Sequence, residues 1–280
     1  PKGAVIIAEN MYQHNQRGPA SEKIDPAKRD GFSNPPPKRG AFWLCFISAF
    51  LLTVLAFVGS IAYNATQTSL FQAAVNRYVV GQGLVSQRDA DAFVKDTMGY
   101  LTGVQSVWSP TVSIGDHRVD IPEAFTAHMA NVKSWVQSAK PILLAGFAIA
   151  LLGLGLAMLG AKRGKIGSFS LGGYFLGMVL PIALLAGVGL WGILNFDGLW
   201  SWIHRTLIPD GIFSVNDEIM RLFPLEMFAS YLRPVGVTFG IGVAVIVALP
   251  FALSPLFRRR AHPVGQANQP DAGNRPAKRS

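Results

Sequence analysis

Four stretches of this chain are too long and too apolar to be ordinary helices of a water-soluble protein. Residues 41–63 carry no charge and only Ser48, Thr53 and Ser60 as polar interruptions. Residues 141–161 run uncharged between Lys140 and Lys162, residues 171–196 stay uncharged up to Asp197, and residues 234–257 stop at Arg258-Arg259-Arg260. At 1.5 Å of rise per residue, about 20 residues cross a hydrocarbon core of roughly 30 Å. The pattern predicts a mainly α, polytopic membrane protein with four transmembrane helices, one for each run. Composition agrees: half of the 280 residues are apolar and only 15% are charged, against roughly a quarter in a soluble domain. A soluble enzyme is excluded on that ground.

Where the charges fall then predicts the orientation. The net charge is +9, which on a soluble chain would point to nucleic acid. Residues 1–40, 162–170 and 258–280 together hold 16 basic and 5 acidic residues, whereas 64–140 and 197–233 hold 9 and 11. Positive charge marks the cytoplasmic side. Both termini are therefore expected inside, and the two long segments outside as a small extracellular cap. The surplus is an orientation signal, and no nucleic-acid partner is expected. The single cysteine, Cys45, excludes a disulfide framework, a CxxC redox pair and a cysteine zinc cluster.

Residues 1–40 and the stretch after His262 are rich in Pro, Gly and basic residues, and Pro35-Pro36-Pro37 stands among them. Segments of this kind cannot bury a core and are expected to be disordered tails. The first apolar run, 23 residues long, exceeds the 7–15 of a signal-peptide core and follows a long basic segment, so a retained helix is expected. The chain opens on Pro1, and the translated start is expected upstream. Within the spans, Gly173-x-x-x-Gly177 and Gly236-x-x-x-Gly240 have the small-residue spacing that lets helices approach closely. Pro181 and Pro250 are expected to kink their helices. No Asp, Glu, Lys, Arg or His occupies a span, which argues against an ion pump or proton relay. Chemistry must then sit at the helix ends.

In the first outside segment, Ser86 to Thr102 reads as a helix with Ser86 as N-cap and Asp89 in its first turn. A hairpin is expected around Gly115-Asp116. Glu123 to Lys140 reads as a second helix. Its apolar face comprises Phe125, His128, Met129, Val132 and either Trp135 or Val136, and it leads into the second span. The second outside segment opens with Trp200 and Trp202, suited to an interfacial aromatic belt, and His204 follows about two turns past the third span. After a turn at Ile208-Pro209-Asp210-Gly211, an amphipathic stretch runs from Asp217 to Phe228 and is broken at Pro224.

His128 and His204 thus come from different segments yet fall at the same outer interface. Imidazole titrates near neutrality, which suits general acid–base work. A hydrogen-bonded interfacial pair fits the spacing as well, and both readings stand at this point. Asp197 and Glu226 would be the oxygen donors of a dihistidine metal site, but no HxH or HExxH spacing supports one, and no metal or other cofactor is expected. His117 reads as a solvated turn residue, and His14 and His262 lie in the tails.

Three ordered elements carry a family resemblance: Thr126-Ala127-His128-Met129-Ala130-Asn131-Val132-Lys133, Trp202-Ile203-His204-Arg205-Thr206-Leu207-Ile208, and Asp217-Glu218-Ile219-Met220-Arg221-Leu222-Phe223-Pro224-Leu225-Glu226-Met227-Phe228. With Tyr100-Leu101-Thr102-Gly103, their order and topology over residues 41–257 resemble a family of bacterial integral membrane proteins, the Lit-like lipoprotein intramolecular transacylases. Asn131 stands where that family has Asp, Ile203 where Phe precedes the histidine, and Glu226 arrives one place later than the family's acid.

The resemblance implies a bacterial plasma-membrane enzyme. It would move an acyl chain from the sn-2 ester of a diacylated lipoprotein to its N-terminal cysteine amine. Its partners would be that lipoprotein and membrane lipid. One of His128 and His204 would act as base, the other as acid or oxyanion donor. Trp108, Trp135, Trp200, Trp202 and Phe223 would form an aromatic pocket, while Asn131, Lys133, Arg205 and Glu226 would assist with substrate. The alternative is a non-enzymatic envelope-assembly or partner-binding protein, which an inter-imidazole separation beyond about 10 Å would favour, because proton transfer needs near contact.

Overall fold

The structure, a computed structural model, describes residues 39–162, 169–208, 213 and 217–257. The tails, most of the basic loop after Lys162 and the turn at 209–212 lie outside the described residues. Four helices are long and apolar enough to cross a membrane: α1 (Arg39–Ala65), α4 (Glu123–Lys162), α5 (Leu171–Leu194) and α8 (Leu232–Phe257).

Helix α1 is the centre of this bundle and packs against the other three. Its buried positions Cys45, Ser48, Ala49 and Leu52 recur at three- and four-residue spacing, which puts them on one stripe. Leu154, Met158, Tyr174, Met178 and Ile246 fill the space around it. Close approach depends on missing side chains. A Cβ at Gly173 or Gly177 would collide with the Phe42 or Phe46 carbonyl oxygen of α1. One at Gly146 or Gly153 of α4 would strike Leu55 or the Ser48 hydroxyl. The expectation for the other glycine pair is corrected: a Cβ at Gly236 or Gly240 would meet nothing within 4 Å, and one at Gly242 would instead lie 3.3 Å from Ala56.

Polar groups in the bundle are satisfied internally, as a lipid environment demands. The Thr53 and Ser60 hydroxyls donate to the carbonyls of Ala49 and Ala56 one turn back. Asn64 donates to the Ser60 carbonyl and, across to α8, to the Thr238 hydroxyl, both at 2.8 Å. The Tyr174 hydroxyl donates to the Ile246 carbonyl at 2.6 Å and ties α5 to α8. The two bonds between helices contribute on average ~0.6 kcal/mol each in membranes. The outward faces are apolar: Ile142, Leu152, Leu184, Ile193 and Ile241 are each more than 60% exposed. In water that surface would be a large sticky patch, whereas lipid tails cover it at no cost.

A second hydrophobic core, the head, gathers the segments between the long helices. It includes α2 (Thr68–Tyr78), α3 (Gln87–Thr102), the N-terminal half of α4 and the stretch before α8. The Ser86 hydroxyl accepts from the Asp89 N–H at 3.1 Å and starts α3, and Gly103, at φ +88°, ends it. Strands β1 (Ser113–Ile114) and β2 (His117–Arg118) pair antiparallel, with Ser113 opposite Arg118. Gly115, at φ +61°, turns between them. Phe71, Phe93, Trp108, Phe125, Leu222 and Phe223 are buried together here.

The helix expected from Glu123 and the span expected from Pro141 form one 40-residue element, α4, with Pro141 inside it. Such a helix is about 60 Å long, twice the hydrocarbon thickness. Its first half therefore stands in the head, and its second half runs through the bundle. Helix α5 ends at Asn195, whose side chain accepts from the Gly198 N–H at 2.9 Å and starts the amphipathic α6 (Phe196–Leu207). A 3₁₀ turn (Glu218–Leu222) and α7 (Leu225–Ala229), which follows Pro224, lead into α8.

Candidate active site

The apolar stripe on the first half of α4 faces a cavity of about 370 Å³. Phe125, His128, Met129, Val132 and Val136 line it. Opposite them, α6 contributes Trp200, Ile203 and His204, and the segment before α8 contributes Phe223, Met227 and Phe228. The size falls within the range of small-molecule sites, which are mostly apolar with a few placed polar groups.

The two imidazoles meet across this space. Their ring centroids are 6.3 Å apart, with the planes inclined at 38°. His128 is seated edge-on between Phe125 and Phe213, at 6.0 and 5.5 Å, and its Nδ1 is shut off from solvent. His204 lies 4.5 Å from the Trp200 ring, which in turn stacks on Phe228 at 4.5 Å. His204 Nδ1 is 2.9 Å from the Trp200 carbonyl oxygen. That oxygen only accepts, so Nδ1 is the N–H that donates, and in the neutral ring the lone pair belongs to Nε2. The backbone of α6 thus sets the tautomer of His204.

A second, more polar cavity of about 480 Å³ adjoins the first at His204, Trp200, Phe213 and Phe223. Asp197, Ser201, Arg205 and Glu226 supply its polar wall. Arg205 Nε donates to the Ser201 carbonyl at 3.2 Å, which holds the guanidinium along α6.

Of the residues singled out from the sequence, His128, His204, Trp200, Phe223, Arg205 and Glu226 converge on these two adjoining spaces. Asn131, Lys133, Trp135 and Trp202 line neither. Lys133 donates to the Gln105 carbonyl at 2.8 Å and lies over the Tyr100 ring at 4.1 Å, pinning α4 to the end of α3. Trp135 is 54% exposed, and Trp202 packs against Trp191 at 5.9 Å on the outer side of α6. Trp108 is buried behind the cavity, with its indole N–H donating to the Thr97 hydroxyl at 3.2 Å. The residues that sequence reasoning missed are Thr97, Phe213, Met227, Phe228 and Tyr231. Met227, Phe228, Tyr231 and Val235 recur at helical spacing from α7 into α8, and this was the one legible signal for them.

A model of the family described as lipoprotein intramolecular transacylase Lit matches residues 46–228. That span takes in most of α1, nearly all of the head, α4, α5 and both histidines. The chain belongs to this family. It is similar to the solved structure of the membrane-integral lipoprotein intramolecular transacylase Lit from Bacillus cereus, with a TM-score of 0.55 and 16% identity over 76% of this chain and 95% of that one. It is also similar to histidine-to-arginine and histidine-to-alanine variants of that protein, each with a TM-score of 0.53 and 18% identity over 76% of this chain. At such identity the likeness shows a shared fold. No curated protein matches the chain. Membership of the Lit family and four apolar helices make this a bacterial membrane protein.

Proposed function

We propose that this protein is an intramolecular transacylase that moves the sn-2 acyl chain of a diacylglyceryl lipoprotein to the amine of its N-terminal cysteine. The head and both histidines stand on the outer face of the plasma membrane, and both termini are cytoplasmic, as the charge asymmetry along the chain supports. The observation that carries the reading is the 6.3 Å separation of two imidazoles in one apolar cavity. It favours acid–base chemistry over a non-enzymatic partner-binding protein, because one bound group can reach both rings.

The acyl chain lies in the apolar cavity, and the peptide head enters the polar one, where the carboxylates of Asp197 and Glu226 attract its ammonium. His204, on the wall between the two, removes a proton from that ammonium through Nε2. An unperturbed α-amino group titrates near 8, within reach of imidazole. The freed amine attacks the ester carbonyl carbon. A new C–N bond forms, and the carbonyl electron pair moves to oxygen. Collapse breaks the bond to the sn-2 oxygen, which leaves with its electron pair and takes a proton from an imidazolium. Of the three ammonium hydrogens, one stays on the amide, one reaches the sn-2 oxygen and one goes to solvent. His128, held by Phe125 and Phe213, faces the same intermediate. Amine and ester belong to one molecule, so holding them in register supplies several kcal/mol of the acceleration.

Mass spectrometry of a reporter lipoprotein's N-terminus tests this reading in cells that carry the wild type, His128→Ala or His204→Ala. N-acylation with the wild type and a loss of about 10²–10⁴-fold in each variant is expected. Undiminished N-acylation in both variants overturns it.

A further inference from the structure

The apolar cavity contains few polar groups besides the two imidazoles. One is the Thr97 hydroxyl, already engaged by the Trp108 indole N–H and only 1% exposed. Another is the phenol of Tyr231, just before α8 and about one helical turn from both Phe228 and Val235 on the cavity wall. The ring of Tyr231 is packed against the core of the head. Among the described residues, its hydroxyl has no hydrogen-bond partner. The hydroxyl is not among the side-chain atoms shut off from solvent, so a group that enters the cavity can take the place of water on it. A phenol both donates and accepts, and burial pushes this one up to about 12. It therefore stays protonated across the physiological range and acts as a donor, never as a base.

We propose that the Tyr231 hydroxyl is a catalytic group that donates a hydrogen bond to the carbonyl oxygen of the substrate ester. It would stabilise the negative charge that builds there as the amine attacks. Tyr231 keeps its proton throughout: the C–N bond forms, the carbonyl pair moves onto oxygen against the phenol O–H, and the pair returns as the sn-2 C–O bond breaks. A fixed donor aimed at a developing oxyanion in a dry site is among the larger single contributions to acyl transfer. The inference rests on the transacylase reading above and adds to it a donor that neither imidazole provides while acting as base.

The test uses the full chain in phospholipid vesicles with a synthetic diacylated lipopeptide, and mass spectrometry follows initial rates of N-acylation. Tyr231→Phe retains the ring and is expected to lower kcat by about 10²–10³-fold, with KM within about twofold and melting unchanged. Replacing Tyr231 by 3,5-difluorotyrosine, whose phenol is more acidic, is expected to retain activity near neutrality. It should also create an alkaline loss of kcat that the wild type lacks, a change that a purely structural role would not produce. A Tyr231→Phe kcat within about threefold of wild type, an effect confined to KM, or an unaltered alkaline limb with difluorotyrosine overturns the proposal. His204→Ala run in parallel separates the two claims. If the wild type fails to transacylate, the transacylase reading falls. If the wild type is active, His204→Ala is inactive and Tyr231→Phe is fully active, only the Tyr231 assignment falls.

Discussion

At the scale of single residues, the site depends on small angular differences around α4. Advancing 100° per residue, Phe125, Met129, Val132 and Val136 cluster about the centre of the cavity face, and His128 sits on its edge. Trp135, seven residues after His128, turns about 20° further out and reaches solvent. The sequence pattern admitted either Trp135 or Val136, because a periodicity of three and four does not resolve so small an angle. The histidines were legible because His204 lies about two turns past an identifiable span and His128 lies on an amphipathic stretch that leads into one. Phe213 and Tyr231 were not, since their places depend on how the segment before α8 folds back over α6. Tyr231 also makes stability depend on pH. The phenol ionises at about 12 in the fold against 10 for the free group. The folded state thus holds its proton more tightly, and this contribution is complete below pH 10 and lost as pH rises toward 12. Melting followed across that window should fall less steeply for Tyr231→Phe than for the wild type; parallel curves would contradict the assignment.

At the scale of elements, two glycine pairs with the same spacing behave differently. Gly173 and Gly177 press α5 onto the α1 backbone, while Gly236 and Gly240 meet open space. Small-residue spacing says that a close approach is permitted, not that a partner arrives. Gly177→Val, driven against the Phe46 carbonyl, should destabilise the bundle by about 1–3 kcal/mol or more, whereas Gly236→Ala should stay within about 0.5 kcal/mol. Thermal unfolding of the two purified variants in detergent checks the contrast, and equal melting points would refute it. The spans themselves were readable from apolar length alone. The continuity of α4 through Pro141 was not, because proline usually marks a helix boundary. Here the residues on both sides favour helix, and only one backbone hydrogen bond is given up. That continuity makes α4 a single rod from the head into the bundle, so His128 is carried by a bundle helix rather than by a loop.

At the scale of the whole molecule, the account requires the head and its histidines to face outward. Cysteines introduced at the exposed head positions Arg88 and Asp116 should react with a membrane-impermeant maleimide in intact cells. A cysteine at Ser280 should react only after permeabilisation. Cys45 is fully buried in α1 and gives little background. Labelling at Ser280 alone in intact cells would invert the topology and separate the site from its proposed substrate. The central claim is that two imidazoles 6.3 Å apart transfer an acyl chain within one lipoprotein. The direct measurement is the mass of a reporter lipoprotein's N-terminal peptide, fragmented to place each acyl chain. With the wild type, one chain should sit on the cysteine nitrogen and the glyceryl sn-2 oxygen should be free. With His204→Ala, both chains should remain ester-linked to glycerol. A reporter that keeps both esters in the presence of the wild-type protein would contradict the account.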